Sequence, residues 1–190
     1  MKSNLLIIVL SILLPHLSYA QLPSLRIIDG TLRTVESGML VVPPKDKYKK
    51  IIDSLDQNLK KSPNDTTSLF YRSLLYYSYN QKMAEPAQTT KGTLENLLIA
   101  KNMIERAISE KMINVNTKIL RAQIYAELCY RFSGDESWMF TPAVIQSRRK
   151  LFETSKAKAN DSYDELIKSG ISETYVLEKK KVKDEYPIKP

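Results

Sequence analysis

Most of the chain places apolar residues at the three- and four-residue spacing of amphipathic helices. The spacing begins after Asp46, where Ile51, Leu55 and Leu59 recur with lysines between them. Interruptions by proline, glycine and polar residues divide the pattern into helices over about residues 46–61, 66–80, 93–112, 116–132 and 142–169, with a short helix after Ser172. The sequence therefore predicts one all-α domain, residues 46–185, of five or six helices joined mostly by short loops.

Capping residues set the predicted boundaries of these helices. Asp65 and Thr93 are expected to cap the second and third helices, because short polar side chains accept hydrogen bonds from the first free N–H groups. Pro142 suits the first position of the fifth helix, and Gly170 lies just past its end. Asn160–Asp161 is a possible interruption within that helix.

Residues 21–45 differ from the rest of the chain. They hold two of the five glycines, Gly30 and Gly38, together with the pair Pro43–Pro44. Short apolar pieces at 25–28 and 39–42 alternate with turn residues. We predict an extended, irregular N-terminal arm with a hairpin-like or one-turn helical element, packed on the helical domain.

The first twenty residues have the pattern of a secretory signal peptide. Lys2 precedes an apolar run at 5–14, Pro15 ends it, and Ser18 and Ala20 supply small residues at a cleavage point. The run is about half of the ~20 residues needed to cross a bilayer. The predicted cleavage point has no cysteine, so a lipoprotein anchor is not expected. We expect cleavage after Ala20 and a periplasmic or secreted protein that does not span the membrane once processed.

Composition restricts the chemistry that the processed chain can use. The 190 residues include one histidine, His16, within the predicted signal, and one cysteine, Cys129. The mature chain then has no imidazole for catalysis and cannot form an internal disulfide or a multi-cysteine zinc site. Five scattered glycines form no phosphate-binding loop. No cofactor or metal is expected, and Cys129 should be buried.

The net charge bears on the choice of partner. The formal charge is +8, and removal of the segment with Lys2 leaves 28 basic against 21 acidic residues, or +7. For an exported protein this charge favours anionic surfaces of the cell envelope over nucleic acid. The run Lys179–Lys183 near the C-terminus is the candidate for such a contact, beside a flexible tail expected at 186–190. The alternative is that this run, like the basic run 148–150, only coats a solvent-facing helix.

Small and bulky residues recur at matching positions of successive predicted helices. The positions are Ala100, Ile104 and Ala107; Ala122 and Tyr125; Ser73 and Tyr76; and Ala159, Tyr163 and Leu166. With this spacing, the region from about residue 47 to 170 resembles a tetratricopeptide-like (TPR-like) helical stack, in which small residues let helices approach. Extra residues break the frame at 80–93 and 132–141, so another all-α bundle stays open.

The resemblance implies a protein that binds peptides or partner proteins and carries no shared catalytic residues. Candidate partner contacts are Tyr71 and Tyr79 on the aromatic second helix, and Trp138 and Phe140 in an apolar triplet before the fifth helix. The triplet either plugs the domain or forms an exposed anchor. The leading hypothesis is an exported, non-catalytic binding or scaffold module of the cell envelope.

Two other hypotheses stay open at this point. One is an envelope hydrolase or lyase that uses carboxylates alone, for which Asp135, Glu136, Asp161 and Asp164 are the candidates. It requires two acids in one cleft, at least one with a raised pKa. The other is a subunit that is stable only within a larger assembly, which would expose apolar surface when isolated.

Overall fold

The fold is all-α, with a small sheet at its N-terminal side. The computed structural model describes residues 25–28, 31–83, 92–132, 137–170 and 174–187. Within these ranges the helices are α1 (Lys45–Lys61), α2 (Thr66–Met83), α3 (Thr93–Ser109), α4 (Val115–Tyr130), α5 (Pro142–Lys168) and α6 (Thr174–Lys180). The strands are β1 (Leu25–Ile28), β2 (Thr31–Glu36) and β3 (Met39–Val41). The predicted number of helices is therefore confirmed.

Local capping explains where several helices begin and end. Asp65 Oδ2 accepts a hydrogen bond from the Ser68 backbone N–H at 3.1 Å, which caps α2 as predicted. Pro142 begins α5, as predicted, and Gly170 beyond its end has a φ of 66°. Glycine reaches this left-handed conformation without a steric cost, so α5 stops here.

Three predicted boundary details are wrong. Gly92 and not Thr93 holds the N-cap position of α3, with a φ of 88°. Asn160–Asp161 does not interrupt α5, which is continuous over 27 residues. The third helix ends at Ser109, short of residue 112, because Lys111 turns left-handed with a φ of 72°.

The end of α3 is a Schellman motif built on a lysine. The Met112 N–H donates to Ala107 O and the Lys111 N–H to Ile108 O, both at 3.0 Å. These bonds satisfy carbonyls that the end of the helix leaves free. Lysine is an unusual residue at this left-handed position, so no residue type in the sequence marks this end of the helix.

The N-terminal arm is more regular than expected. Its strands form an antiparallel sheet in the order β1-β2-β3. Ser37 and Gly38 between β2 and β3 both have positive φ, at 49° and 79°, as a two-residue type I′ hairpin requires. Leu32 of β2 is buried in the main core and β2 contacts α2, so the sheet packs on the helical domain as predicted.

The helices pack as adjacent antiparallel pairs. The most extensive contacts join α2 to α3 and α4 to α5, while α3 against α4 connects the pairs. Small residues at the predicted positions are fully buried: Ser73, Ala100, Ala107, Ala122 and Ala159. Ser73 Oγ donates a hydrogen bond of 2.8 Å to Ala100 O, which ties α2 to α3 at a close approach.

The C-terminal segment folds back onto α5. Asn160 holds Val182 through two hydrogen bonds, accepting from its N–H at 2.8 Å and donating to its carbonyl at 3.0 Å. Tyr186 is buried against Phe132 and Phe152, with ring centroids 5.6 and 6.0 Å away. The expectation of a flexible tail is therefore wrong at Tyr186, since a second apolar cluster holds its ring; residues 188–190 lie outside the described ranges.

Candidate functional site

An exposed apolar segment lies between α4 and α5. Ser137–Met139 form one turn of 3-10 helix, and Trp138 is 81% exposed and Met139 60% exposed. No large apolar side chain in the described residues is more exposed than Trp138. We call Trp138, Met139 and Phe140 the Trp138 surface. The exposure of Trp138 excludes the interpretation that its ring plugs the domain.

The Trp138 surface adjoins a packed group of Phe140, Arg148, Phe132 and Phe152, which we call the aromatic base. The Arg148 guanidinium carbon is 4.8 Å from the ring centroid of Phe140, which is half-buried, and 4.8 Å from that of buried Phe132. Phe132 packs edge-to-face on Phe152, with centroids 5.9 Å apart. Arg148 thus links the surface to the second apolar cluster, and its side chain is half-buried.

Of the two tyrosine candidates, Tyr71 lies apart from this surface. Tyr71 is half-buried against the main core, and its ring lies edge-to-face on Phe70 at 5.4 Å. Burial raises the pKa of Tyr71 above its ordinary value. The side chain of Tyr79 lies outside the part of the chain that the structure describes. Among the three candidates whose side chains the structure describes, it therefore brings together Trp138 and Phe140 and places Tyr71 on the core.

The basic C-terminal run is partly neutralised. Lys181 Nζ lies 2.6 Å from Asp164 and 2.9 Å from Glu178, and these hydrogen-bonded carboxylates, Asp164 first, raise the pKa of Lys181. Lys179 is exposed and lies over the Tyr175 ring at 4.2 Å. The exposed cations of this run are Lys179, Lys180 and Lys183.

The candidate acids do not form a cleft where the structure describes them. Asp161 is exposed, Asp164 pairs with Lys181, and neighbouring Glu165 lies 3.7 Å from Lys118. Asp135 and Glu136 lie outside the described ranges. Across those ranges, no group of three or more histidine, cysteine, aspartate or glutamate side chains is placed to hold a metal ion.

Cys129 is buried, as predicted. Its Sγ contacts Phe152 O at 3.7 Å within the second apolar cluster. Burial, with a smaller contribution from the charge of Glu153, raises the pKa of the thiol to about 12. A thiol with so little thiolate at neutral pH is a poor nucleophile, and its position is that of a core residue.

Sequence reasoning missed two features of the surface. The β2–β3 hairpin carries exposed apolar side chains, although the apolar piece at 39–42 was expected to pack on the helical domain. The turn residues Ser37–Gly38 were the sequence signal for the hairpin itself. A shallow cavity of about 280 Å³ lies where the end of α1 meets α2 and α3, lined mainly by Leu59, Leu69, Ile99 and Met103. Its volume is below the range of about 300–1,000 Å³ typical of small-molecule sites.

The comparisons with known proteins leave the site to be interpreted from its geometry. The chain matches no family model, and no curated protein or solved structure is significantly similar to it. In the described ranges, none of the helices combines the length and apolar character needed to cross a bilayer.

Proposed function

We propose that this chain is an exported, non-catalytic protein-binding module of the cell envelope that contacts its partner through the Trp138 surface. The observation that carries the proposal is the 81% exposure of Trp138 beside exposed Met139. Neighbouring large apolar side chains that are exposed to water are unfavourable in free energy, and such patches often mark protein-interaction sites. Tryptophan is also enriched among the residues that dominate binding free energy.

The aromatic base supports this assignment. A contact residue loses less conformational entropy on binding when the backbone beneath it is already fixed. Here Phe140 lies against Arg148, and Arg148 lies against the buried ring of Phe132. The surface is therefore preorganised below Trp138.

The burial pattern supports a TPR-like arrangement of the helices. The resemblance requires small residues where helices approach, and Ala100, Ala107, Ala122 and Ala159 are fully buried in the paired helices. Domains of this architecture present surfaces to peptides or other proteins. Export is the part of the proposal that rests on the signal-like pattern of residues 1–20.

Site-specific crosslinking in the native host tests the proposed surface. A photoreactive phenylalanine analogue replaces Trp138 in one chain, and Tyr175, which is 67% exposed on α6, in a matched control. We expect position 138 to give a discrete crosslinked protein that position 175 does not. The Trp138→Ala variant, tested for unchanged helix content by circular dichroism, should lose that partner in quantitative co-purification.

Two results would contradict the proposal. Identical crosslinks at both positions would indicate non-specific proximity. An exported, folded chain that gives no crosslink at 138 would remove the Trp138 surface from consideration, because a photoreactive group within a contact should capture its neighbour.

A further inference from the structure

The tip of the β2–β3 hairpin is apolar on both of its faces. Val35 and Leu40 are directly opposite each other in the strand register, and both are exposed. Met39 is paired with Glu36 in the next register position, so it lies on the other face of the hairpin, and it is 66% exposed. Val42, just past β3, is exposed as well. Four apolar side chains are therefore in contact with water within eight residues.

A partner that covers only one face of the hairpin would leave part of this surface in water. An added strand would pair with β3 at its edge, and a flat protein surface would cover either Leu40 or Met39 but not both. A medium that surrounds the tip can bury both faces together. The hydrocarbon boundary of a bilayer is such a medium, and apolar groups enter it to a depth of about 5–10 Å.

Two arginines lie behind the tip on the outer face of the sheet. Arg26 of β1 is directly opposite Arg33 of β2. Arg33 is two residues from Val35, so the two share a face and are separated by about 7 Å along the strand. No carboxylate in the described residues is within ion-pair distance of either arginine. Like charges directly opposite each other are unfavourable, and a bound anion would relieve them.

The only carboxylate on the hairpin is already neutralised. Glu36 forms an ion pair with Lys47 of α1, with the Lys47 Nζ 2.5 Å from the Glu36 Oε1. The hairpin therefore presents an apolar tip followed, about two residues further back, by two arginines that pair with no carboxylate among the described residues. Anionic headgroups lie at this level above the hydrocarbon boundary, and each basic residue near such a surface strengthens binding.

We propose that the β2–β3 hairpin docks the protein on an anionic lipid bilayer, with Met39 and Leu40 in the acyl boundary and Arg26 and Arg33 among the headgroup phosphates. The charge of the whole chain, formally +8, acts in the same direction. This surface is independent of the proposed partner contact, since the Trp138 surface lies between α4 and α5.

Vesicle sedimentation tests the inference with the full chain. Vesicles of phosphatidylglycerol and phosphatidylcholine in equal parts are compared with pure phosphatidylcholine. We expect sedimentation with the anionic vesicles only. The Met39→Ser/Leu40→Ser variant should lower the partition coefficient at least about tenfold, and Arg26→Gln/Arg33→Gln about 25-fold at low salt, or about fivefold per arginine.

Matched variants isolate the hairpin. Residues 1–20 would bind lipid themselves if retained, so all variants must share one N-terminus, verified by mass spectrometry. The control Ile113→Ser/Val115→Ser removes exposed apolar side chains at the α3–α4 turn and should change the partition coefficient by less than about twofold. These positions are solvent-exposed, and circular dichroism verifies that each variant is folded.

Tryptophan fluorescence identifies the surface that docks. The chain has one tryptophan, so Trp138→Phe/Leu40→Trp moves the reporter into the hairpin. We expect its emission to shift to the blue with anionic vesicles, while Trp138 in the parent chain does not respond. A blue shift of Trp138 alone would overturn the inference in favour of docking by the Trp138 surface.

Two further results would overturn it. One is equal binding by the parent chain and the hairpin variant. The other is a concentration-dependent dimer that is lost in the Met39→Ser/Leu40→Ser variant while vesicles bind neither protein; pairing between β3 edges would then explain the apolar tip. Neither result affects the crosslinking test at position 138.

Discussion

Replacing Arg148 tests whether the aromatic base stabilises the fold beneath Trp138. The Arg148→Ala variant removes a guanidinium that lies 4.8 Å from the ring centroids of both Phe132 and Phe140. It leaves Phe152 and Tyr186 in place around Phe132. The backbone of α5 can accept the change, because alanine has the highest helix propensity.

The expected loss follows from the two ring contacts. A cation over an aromatic face contributes about 0.5–1 kcal/mol at a partly exposed site. Two faces therefore give about 1–2 kcal/mol, with a smaller addition from the packed side-chain stem. For a chain of this size the loss corresponds to a decrease in Tm of about 2–8 °C.

Urea and thermal unfolding followed by circular dichroism measure this loss. Arg149→Ala is the matched control, since Arg149 is the exposed neighbour and its removal changes the net charge equally. Arg148→Lys keeps the charge but loses the planar group, so we expect an intermediate value. Fluorescence anisotropy of Trp138 should fall in Arg148→Ala, because its base is loosened.

A specific pattern would refute the reasoning. If Arg148→Ala and Arg149→Ala lower the free energy of unfolding equally, the ring contacts contribute nothing and only charge matters. If stability falls but the anisotropy of Trp138 does not, Arg148 stabilises the fold without ordering the Trp138 surface.

Three further predictions concern the helices and the buried thiol. Ala159→Leu should lower the free energy of unfolding by about 1–3 kcal/mol in urea titrations, because Ala159 is fully buried; Ala157→Leu on the exposed side of α5 should change it by less than about 0.5 kcal/mol. Lys111→Gly should raise the free energy of unfolding by about 0.5–1 kcal/mol, seen as a higher urea midpoint, since glycine removes the cost of a left-handed lysine at φ 72°. Burial raises the pKa of Cys129 from 9.0 to about 12 and that of Tyr163 from 10.0 to about 12, so their contribution to stability is complete below about pH 9 and is lost as the pH rises towards 12.

A specific result would contradict each of these three predictions. Equal effects of leucine at 159 and 157 would mean that the close approach of the helices is not limiting. A loss of stability in Lys111→Gly would mean that the gain of freedom in the unfolded chain outweighs the relief of the left-handed residue. For the titration, unfolding midpoints from pH 8 to 11 should fall less in Cys129→Ala than in the parent, and an unchanged slope would exclude the thiol.

The candidate site was only partly predictable from sequence. The apolar triplet at 138–140 identified the segment, but three residues before a helix carry no period that distinguishes a buried plug from an exposed contact. Arg148 belongs to a basic run that is typical of a solvated helix face, and only the fold places it between Phe132 and Phe140. Tyr71 was expected to be a contact candidate, yet it lies half-buried on the core.

The sequence by itself determined the helices, because their periodicity and caps act within a few residues of each other. Asp65, Pro142 and Gly170 set boundaries through local hydrogen bonds and backbone conformation, and the structure has them where they were expected. The tertiary structure alone decided where β2 packs on the helical domain, against α2, and the docking of Tyr186 on Phe132. These contacts join residues that are distant in the chain, and their stability depends on apolar area that only the assembled helices bury.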